Sequence, residues 1–177
     1  MIILIAGGTH TGKTLLAQRI LEQRGYPYLS IDHLKMGLIR SGWCGLTPES
    51  ADETLTETLW PIIREMAKTA IENGQNLTVE GCYIPFAYRQ DFTATYLCEI
   101  HYVCLIFSER YIRAYFEDIE RHACAIERRQ DDSHLSPELL LAENRRNLKG
   151  CREYGLDYIL IEDRYEVAWD PDIPRRA

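Results

Sequence analysis

The amino-terminal segment contains the residues whose types and spacing point most clearly to chemistry. Residues 7–14 read GGTHTGKT and satisfy the pattern G-x-x-x-x-G-K-[ST] in full, directly after an apolar run at residues 1–6. Glycines let the backbone curl so that successive N–H groups point at phosphate oxygens, and the positive end of the following helix points at the same place. The pattern therefore predicts a loop that binds the phosphates of a nucleoside triphosphate.

Side-chain chemistry assigns individual roles within this loop. Lys13 is expected to reach the β- and γ-phosphates and to act in catalysis, and the Thr14 hydroxyl is expected to ligate Mg²⁺. The remaining residues are expected to surround the phosphates with their backbone. The predicted ATP-binding residues are Gly8, Thr9, His10, Thr11, Gly12, Lys13 and Thr14.

Two charged residues follow the second apolar run, at residues 28–31. Asp32 is predicted to accept the proton of an attacking hydroxyl, or to orient that hydroxyl, and so to serve both catalysis and substrate binding. Arg40 is predicted to bind an anionic group of the substrate. The alternatives are that Asp32 caps a helix and that Arg40 is a solvated arginine at a helix end.

Glu80 ends the third apolar run and precedes Gly81. An acid at the end of a strand beside the phosphate-loop strand holds Mg²⁺ through water or contacts the phosphoryl acceptor. Without such a role, a carboxylate that ends an apolar strand needs some other buried partner. We therefore predict that Glu80 binds the metal and the substrate.

A polar, arginine-rich segment follows the fourth apolar run. The apolar stripe of the helix predicted after residue 107 fades beyond Arg121, and the chain becomes polar around Arg128 and Arg129. One interpretation is a mobile lid at roughly residues 121–135 whose arginines, Arg121 and Arg128 foremost, neutralise phosphate charge in the transition state. The other is a solvated polar face.

The order of the elements predicts how these residues are brought together. Apolar runs at residues 1–6, 28–31, 77–80, 100–107 and 158–161 alternate with helical patterns. Such alternation predicts a parallel sheet covered by helices on both faces, with ligands bound beyond the carboxyl ends of the strands. The second long helix is expected to run from Pro48 to about residue 73, with a break or kink at Pro61.

Length and composition limit the classes of function. The 177 residues suit one domain, 46% of them are hydrophobic, and the formal net charge is −7. This charge argues against a nucleic-acid partner, which would need a basic face. The first apolar run is too short for a signal peptide or a membrane span, so we expect a cytoplasmic protein without a membrane partner. The oligomeric state is not predicted.

Together, these residues resemble those of the small P-loop kinases. This group includes shikimate kinase, gluconate kinase, chloramphenicol phosphotransferase, zeta-type toxins and the nucleoside monophosphate kinases. The resemblance covers nearly the whole chain, and residues 1–177 are expected to form a single domain. It implies a three-layer α/β/α fold, a five-stranded parallel sheet in order 2-3-1-4-5, an arginine-bearing lid, and ATP with Mg as donor. By analogy, residues 161–164 would contact the adenine.

The resemblance leaves the acceptor open. Adenylate kinase loops typically end in Gly-Lys-Gly-Thr and a later Asp-Gly-Phe-Pro-Arg signature follows, whereas this chain has Gly-Lys-Thr and then EGCYIP at residues 80–85. We expect transfer of a phosphoryl group from ATP to a hydroxyl of a small metabolite, and 2-phosphoglycerate-kinase-like members are among the similar enzymes. The alternatives are a nucleoside monophosphate kinase and a regulatory nucleotide-binding NTPase without a small-molecule acceptor.

Overall fold

A five-stranded parallel sheet forms the centre of the computed structural model, which describes residues 1–122 and 135–170. The strands are β1 (Ile2–Gly7), β2 (Tyr28–Ser30), β3 (Leu77–Glu80), β4 (Ile100–Phe107) and β5 (Tyr158–Ile161). They lie in the order β2-β3-β1-β4-β5, and every neighbouring pair is parallel. The predicted fold class and strand order are therefore confirmed.

Helices connect the strands. They are α1 (Lys13–Arg24), α2 (Ile31–Arg40), α3 (Asp52–Glu72), the short α4 (Ala94–Leu97), α5 (Glu109–Arg121) and α6 (Pro137–Tyr154). Ser108 and Ser136 cap α5 and α6 through their side chains, and Gly155 ends α6 in the left-handed conformation. Among the described helices, none is long and apolar enough to cross a membrane.

The prediction for α3 was wrong about its start and about a break at Pro61. The helix begins at Asp52 rather than at Pro48, and it continues through Pro61 as one element. Pro61 has no backbone N–H, so one carbonyl in the preceding turn of α3 loses its hydrogen-bond donor. Because Pro61 lies on the exposed side of the helix, water can reach that carbonyl. Burial of Leu59 and Ile63 on the opposite side holds the helix against the sheet.

Alternating residues of β1 build a core on each face of the sheet. Ile2 and Leu4 belong to a cluster with α3 residues such as Leu59, whereas Ile3 and Ile5 belong to a cluster with α1 and the start of α6. All four β1 isoleucines and leucines are fully buried. This central position fixes the loop after β1 at the carboxyl edge of the sheet, between the ends of β3 and β4.

Candidate active site

The phosphate loop after β1 has a backbone that only particular residues can adopt. His10 and Gly12 have φ values of 62° and 82°, in the left-handed region. A Cβ at Gly12 would also overlap the Tyr165 hydroxyl. Glycine at position 12 is therefore needed both for its backbone angle and for the close approach of Tyr165.

Two side chains of the loop hold its shape from inside. The Thr11 hydroxyl and the Lys13 ammonium donate to the Gly8 carbonyl oxygen at 2.9 and 2.7 Å. Lys13 is only 7% exposed, and burial lowers its pKa. The acidic groups around it outweigh burial, however, so the pKa of Lys13 is raised and the ammonium stays charged at neutral pH. The carboxylates of Glu80, Asp32 and Glu143 are among these groups, whereas burial raises the pKa of the Cys82 thiol, which is therefore neutral at this pH.

Thr14 and Glu80 form a pair of oxygen donors beside the loop. The Thr14 hydroxyl donates to the Glu80 carboxylate at 3.3 Å, and Glu80 is 2% exposed. Because β3 pairs directly with β1, with Glu80 opposite Ile5, the carboxylate lies next to the start of the loop. A hydroxyl and a carboxylate are oxygen ligands of the kind that Mg²⁺ takes, so the donor set fits this ion.

We expect Glu80→Gln to change the metal dependence of the reaction. The amide keeps the size of the side chain but removes the negative charge that would help hold Mg²⁺ directly or through water. Half-maximal activity should then require about tenfold more Mg²⁺, measured by titration at saturating nucleotide. Glu57→Gln, which changes an exposed glutamate of α3, should leave the titration unchanged. Identical Mg²⁺ curves for wild type and Glu80→Gln would contradict the metal role.

Asp32 does not cap a helix. The N-cap of α2 is Ser30, and Asp32 lies in the first helical turn, where its carboxylate accepts from the Lys35 ammonium at 2.7 Å. The Asp32 side chain remains 52% exposed. The capping alternative is therefore excluded, because α2 begins at Ile31 with Ser30 as its N-cap, and about half of the Asp32 side chain stays accessible.

Lys35 is a site residue that the sequence analysis missed. Its ammonium lies between the Asp32 carboxylate and the Tyr83 hydroxyl, 3.0 Å from the latter, and 5.1 Å from the centre of the Tyr83 ring. Burial lowers the pKa of Lys35, but the hydrogen bonds to Asp32 and Tyr83 outweigh burial and raise it. The i,i+3 spacing of Asp32 and Lys35 was visible in the sequence, whereas the contact between Lys35 and Tyr83 was not.

The predicted arginines lie at helix ends or outside the described residues. Arg40 is exposed in the last turn of α2, and its predicted role in substrate binding stays a prediction. Arg121 ends α5 and pairs with Asp118 at 2.8 Å. Arg128 and Arg129 lie outside the described residues, as does most of the predicted lid at residues 121–135. The lid therefore stays a prediction.

Two residues from the last third of the chain contact the loop backbone, and the sequence analysis missed both. The Glu143 carboxylate accepts from the Thr9 N–H at 2.7 Å, and the Tyr165 hydroxyl donates to the Thr11 carbonyl oxygen at 3.2 Å. Burial raises the pKa of Tyr165 to about 12, so this hydroxyl keeps its proton at neutral pH. Neither contact had a signal in the sequence, because each joins residues more than a hundred positions apart.

Comparisons with known proteins give matches in structure alone. No protein-family model matches this chain, and no curated protein matches its sequence. A deoxyadenosine kinase from M. mycoides with bound dATP matches with a TM-score of 0.54 and 12% identity, over 94% of this chain and 93% of that one. A shikimate kinase from Bacteroides thetaiotaomicron matches with a TM-score of 0.51 and 14% identity, over 92% of this chain and 86% of that one.

A gluconokinase from Sinorhizobium meliloti 1021 also matches, with a TM-score of 0.50 and 16% identity, over 90% of this chain and 81% of that one. These proteins are all small P-loop kinases. At such low identity, the matches show a shared fold. The chain therefore has the three-layer P-loop fold that these kinases have, and the arguments about chemistry rest on the site itself.

Proposed function

We propose that this protein is an ATP-dependent kinase that transfers the γ-phosphoryl group of ATP·Mg to a hydroxyl of a small metabolite. One observation carries the proposal. Lys13 follows the end of β1, Asp32 follows the end of β2 and Glu80 ends β3, and these three parallel strands are neighbours in the sheet. A donor-binding lysine, a metal-binding acid and a half-exposed acid for the acceptor thus converge at one edge of the sheet.

In this proposal, each group acts on a different part of the reaction. Lys13 contacts the β- and γ-phosphate oxygens and neutralises charge that grows on them during transfer. Asp32 accepts a hydrogen bond from the acceptor hydroxyl and orients its oxygen toward the γ-phosphorus. Mg²⁺, held through Thr14 and Glu80, supplies further neutralisation of the phosphate charge when bound.

On the side proposed for the phosphoryl acceptor, the side chains of Asp32, Lys35 and Tyr83 form a prearranged group. Lys35 fixes one Asp32 oxygen by an ion pair, and Tyr83 fixes Lys35 in turn. The other side of the carboxylate remains available for a hydroxyl. Such an arrangement is expected for a group that must hold a substrate in one orientation.

The two alternatives gain no support from a particular contact of the site. A regulatory NTPase has no need of a carboxylate that is held by Lys35 and directed to an acceptor. A nucleoside monophosphate kinase remains a kinase of the same fold with a different acceptor. Both alternatives make distinct predictions for the assay below.

A coupled assay of ADP release tests the proposal. The purified protein is incubated with ATP·Mg and, separately, with sugars, sugar acids, phosphorylated hydroxy acids, nucleosides and nucleoside monophosphates. We expect one class of hydroxyl-bearing metabolite to raise ADP release above the rate with ATP alone. Stimulation by nucleoside monophosphates alone would favour a nucleoside monophosphate kinase. A constant rate with every acceptor would favour the NTPase.

Lys35→Met tests the positioning of Asp32. Methionine keeps the length of the side chain but removes the ammonium, so the Asp32 carboxylate loses its fixed orientation. We expect kcat to fall about 10-fold or more while the KM for ATP changes little, and Lys35→Arg should restore part of the rate.

The ion pair between Lys35 and Asp32 in the wild-type protein should persist through neutral pH. The folded-state pKa of Lys35 is raised above its usual value of 10.5, so the stability from this pair is fully present below that pH and is lost only as pH rises further. Lys149→Met, at an exposed position of α6, is the matched control. An unchanged kcat in Lys35→Met would show that Lys35 has no positioning role.

A further inference from the structure

Glu143 occupies a place against the phosphate loop that suits a phosphate oxygen. We propose that its carboxylate is an internal ligand of the phosphate loop, which competes with the triphosphate and leaves the loop when the nucleotide binds. The inference rests on the proposed function in that it requires the loop to bind ATP. It adds a residue of α6 that sets the affinity of the loop for phosphate.

The contact uses the donor chemistry by which such a loop binds an anion. The Thr9 N–H lies within the phosphate loop and donates to Glu143 Oε2 at 2.7 Å, a distance typical of a charge-assisted hydrogen bond. Backbone N–H groups in a curled loop at a helix N-terminus bind phosphate or carboxylate oxygens alike. The carboxylate of Glu143 therefore contacts a donor that a nucleotide phosphate would be expected to use.

The side chain also lies directly on the loop backbone. A Cβ built at Gly8 would be only 2.9 Å from Glu143 Oε2 and 3.3 Å from the Glu143 Cβ. The glutamate thus occupies the space above Gly8 and Thr9, next to the Lys13 ammonium, whose pKa it helps to raise. A phosphate group placed over the same backbone would meet the carboxylate at short range.

The neighbouring residue fixes the part of α6 that delivers this carboxylate. Asn144 is 2% exposed, and its side-chain oxygen accepts from the Phe107 N–H at 2.7 Å while its amide donates to the Leu140 carbonyl oxygen at 2.8 Å. The first of these bonds ties α6 to the carboxyl end of β4, and the second, within α6, fixes the orientation of the Asn144 amide. The position of Glu143 over the loop therefore follows from a buried backbone anchor rather than from the freedom of an exposed side chain.

Electrostatics determines the direction of the effect on binding. A carboxylate next to the loop helps to hold Lys13 charged when no nucleotide is present, but it repels a triphosphate that carries several negative charges. Binding of ATP must therefore move Glu143 away or accept the repulsion. Removing the charge should strengthen the binding of phosphate-bearing ligands and leave adenosine, which lacks phosphate, unaffected.

Calorimetric titration of Glu143→Gln tests this inference. Glutamine keeps the length of the side chain and its oxygen acceptor but removes the charge. We expect ATP and pyrophosphate to bind about three- to tenfold more tightly than to wild type, with adenosine unchanged. Glu153→Gln removes the same charge from an exposed position on the same helix, and its affinities should equal those of wild type.

The result separates this inference from the proposed function. If wild type binds neither ATP nor pyrophosphate, the proposed function fails. If wild type binds both, but Glu143→Gln binds them equally or more weakly, Glu143 is not a competitor and the inference is wrong.

A measurement on the wild-type protein covers the case in which the variant does not fold. Amide hydrogen exchange followed by NMR should show that the Thr9 N–H is protected in the absence of nucleotide, because it is bonded to Glu143. Its resonance should shift when pyrophosphate is added, since the acceptor changes. Exchange of the free protein's Thr9 amide at the rate of an open loop, or no shift with pyrophosphate, would overturn the inference.

Discussion

Lys13→Met is expected to lower kcat by about 10²–10³-fold or more while the protein stays folded. Methionine fills the buried space of the lysine stem but cannot neutralise charge on the β- and γ-phosphates. The loop should keep its shape, because the Gly8 carbonyl oxygen still accepts from the Thr11 hydroxyl at 2.9 Å after the Lys13 bond is lost. Steady-state kinetics of phosphoryl transfer, with thermal unfolding as the test of folding, measures the effect.

Lys13→Ala should have the same effect on turnover with a larger loss of stability, because Lys13 is buried and alanine leaves its space empty. Lys149→Met replaces an exposed lysine of α6 and should retain wild-type kinetics. Normal turnover by a folded Lys13→Met protein would remove the main support for a phosphate-binding loop that acts in catalysis.

Asp32→Asn should lower kcat by about 10²–10⁴-fold with little change in ATP affinity. The amide oxygen can still accept from Lys35, so the side chain keeps its place in the first turn of α2. It loses the negative charge that draws the proton of the acceptor hydroxyl. Because the residue serves the acceptor rather than the donor, ATP titrations of variant and wild type should nearly coincide.

Glu65→Gln is the matched control for Asp32→Asn. Glu65 and Lys68 form an i,i+3 ion pair on α3 at 3.0 Å, which has the same spacing as Asp32 and Lys35 but lies on an exposed surface. Loss of this surface pair should change stability little and leave kcat unchanged. If Asp32→Asn shows kinetics like those of Glu65→Gln, Asp32 takes no part in phosphoryl transfer.

Predictions from the sequence succeeded where the determining interactions are local. The bounds of β3, β4 and β5 follow from short runs rich in apolar residues, because strands of a parallel sheet covered by helices need mostly apolar residues. The phosphate loop is contiguous, so its motif contains all the backbone groups that shape it. The strand order followed from resemblance, and the structure confirms it.

Local rules failed where burial or helix geometry overrides them. The proline rule predicts an interrupted α3, but the buried apolar face of that helix outweighs one missing hydrogen bond at the exposed Pro61. An aspartate at a strand-to-helix junction reads as a cap, yet α2 begins earlier, at Ile31. In both cases, packing against the sheet decides where the helix runs.

The sequence by itself therefore determined the sheet, the phosphate loop and the acids at the strand ends. Only the tertiary structure decided which side chains complete the site. Tyr83 reaches Lys35, Glu143 reaches Thr9 and Tyr165 reaches Thr11. Each of these contacts depends on how an element from a distant part of the chain lies against the carboxyl edge of the sheet. No periodicity or motif encodes that placement, because it is set by the packing of the two cores on either face.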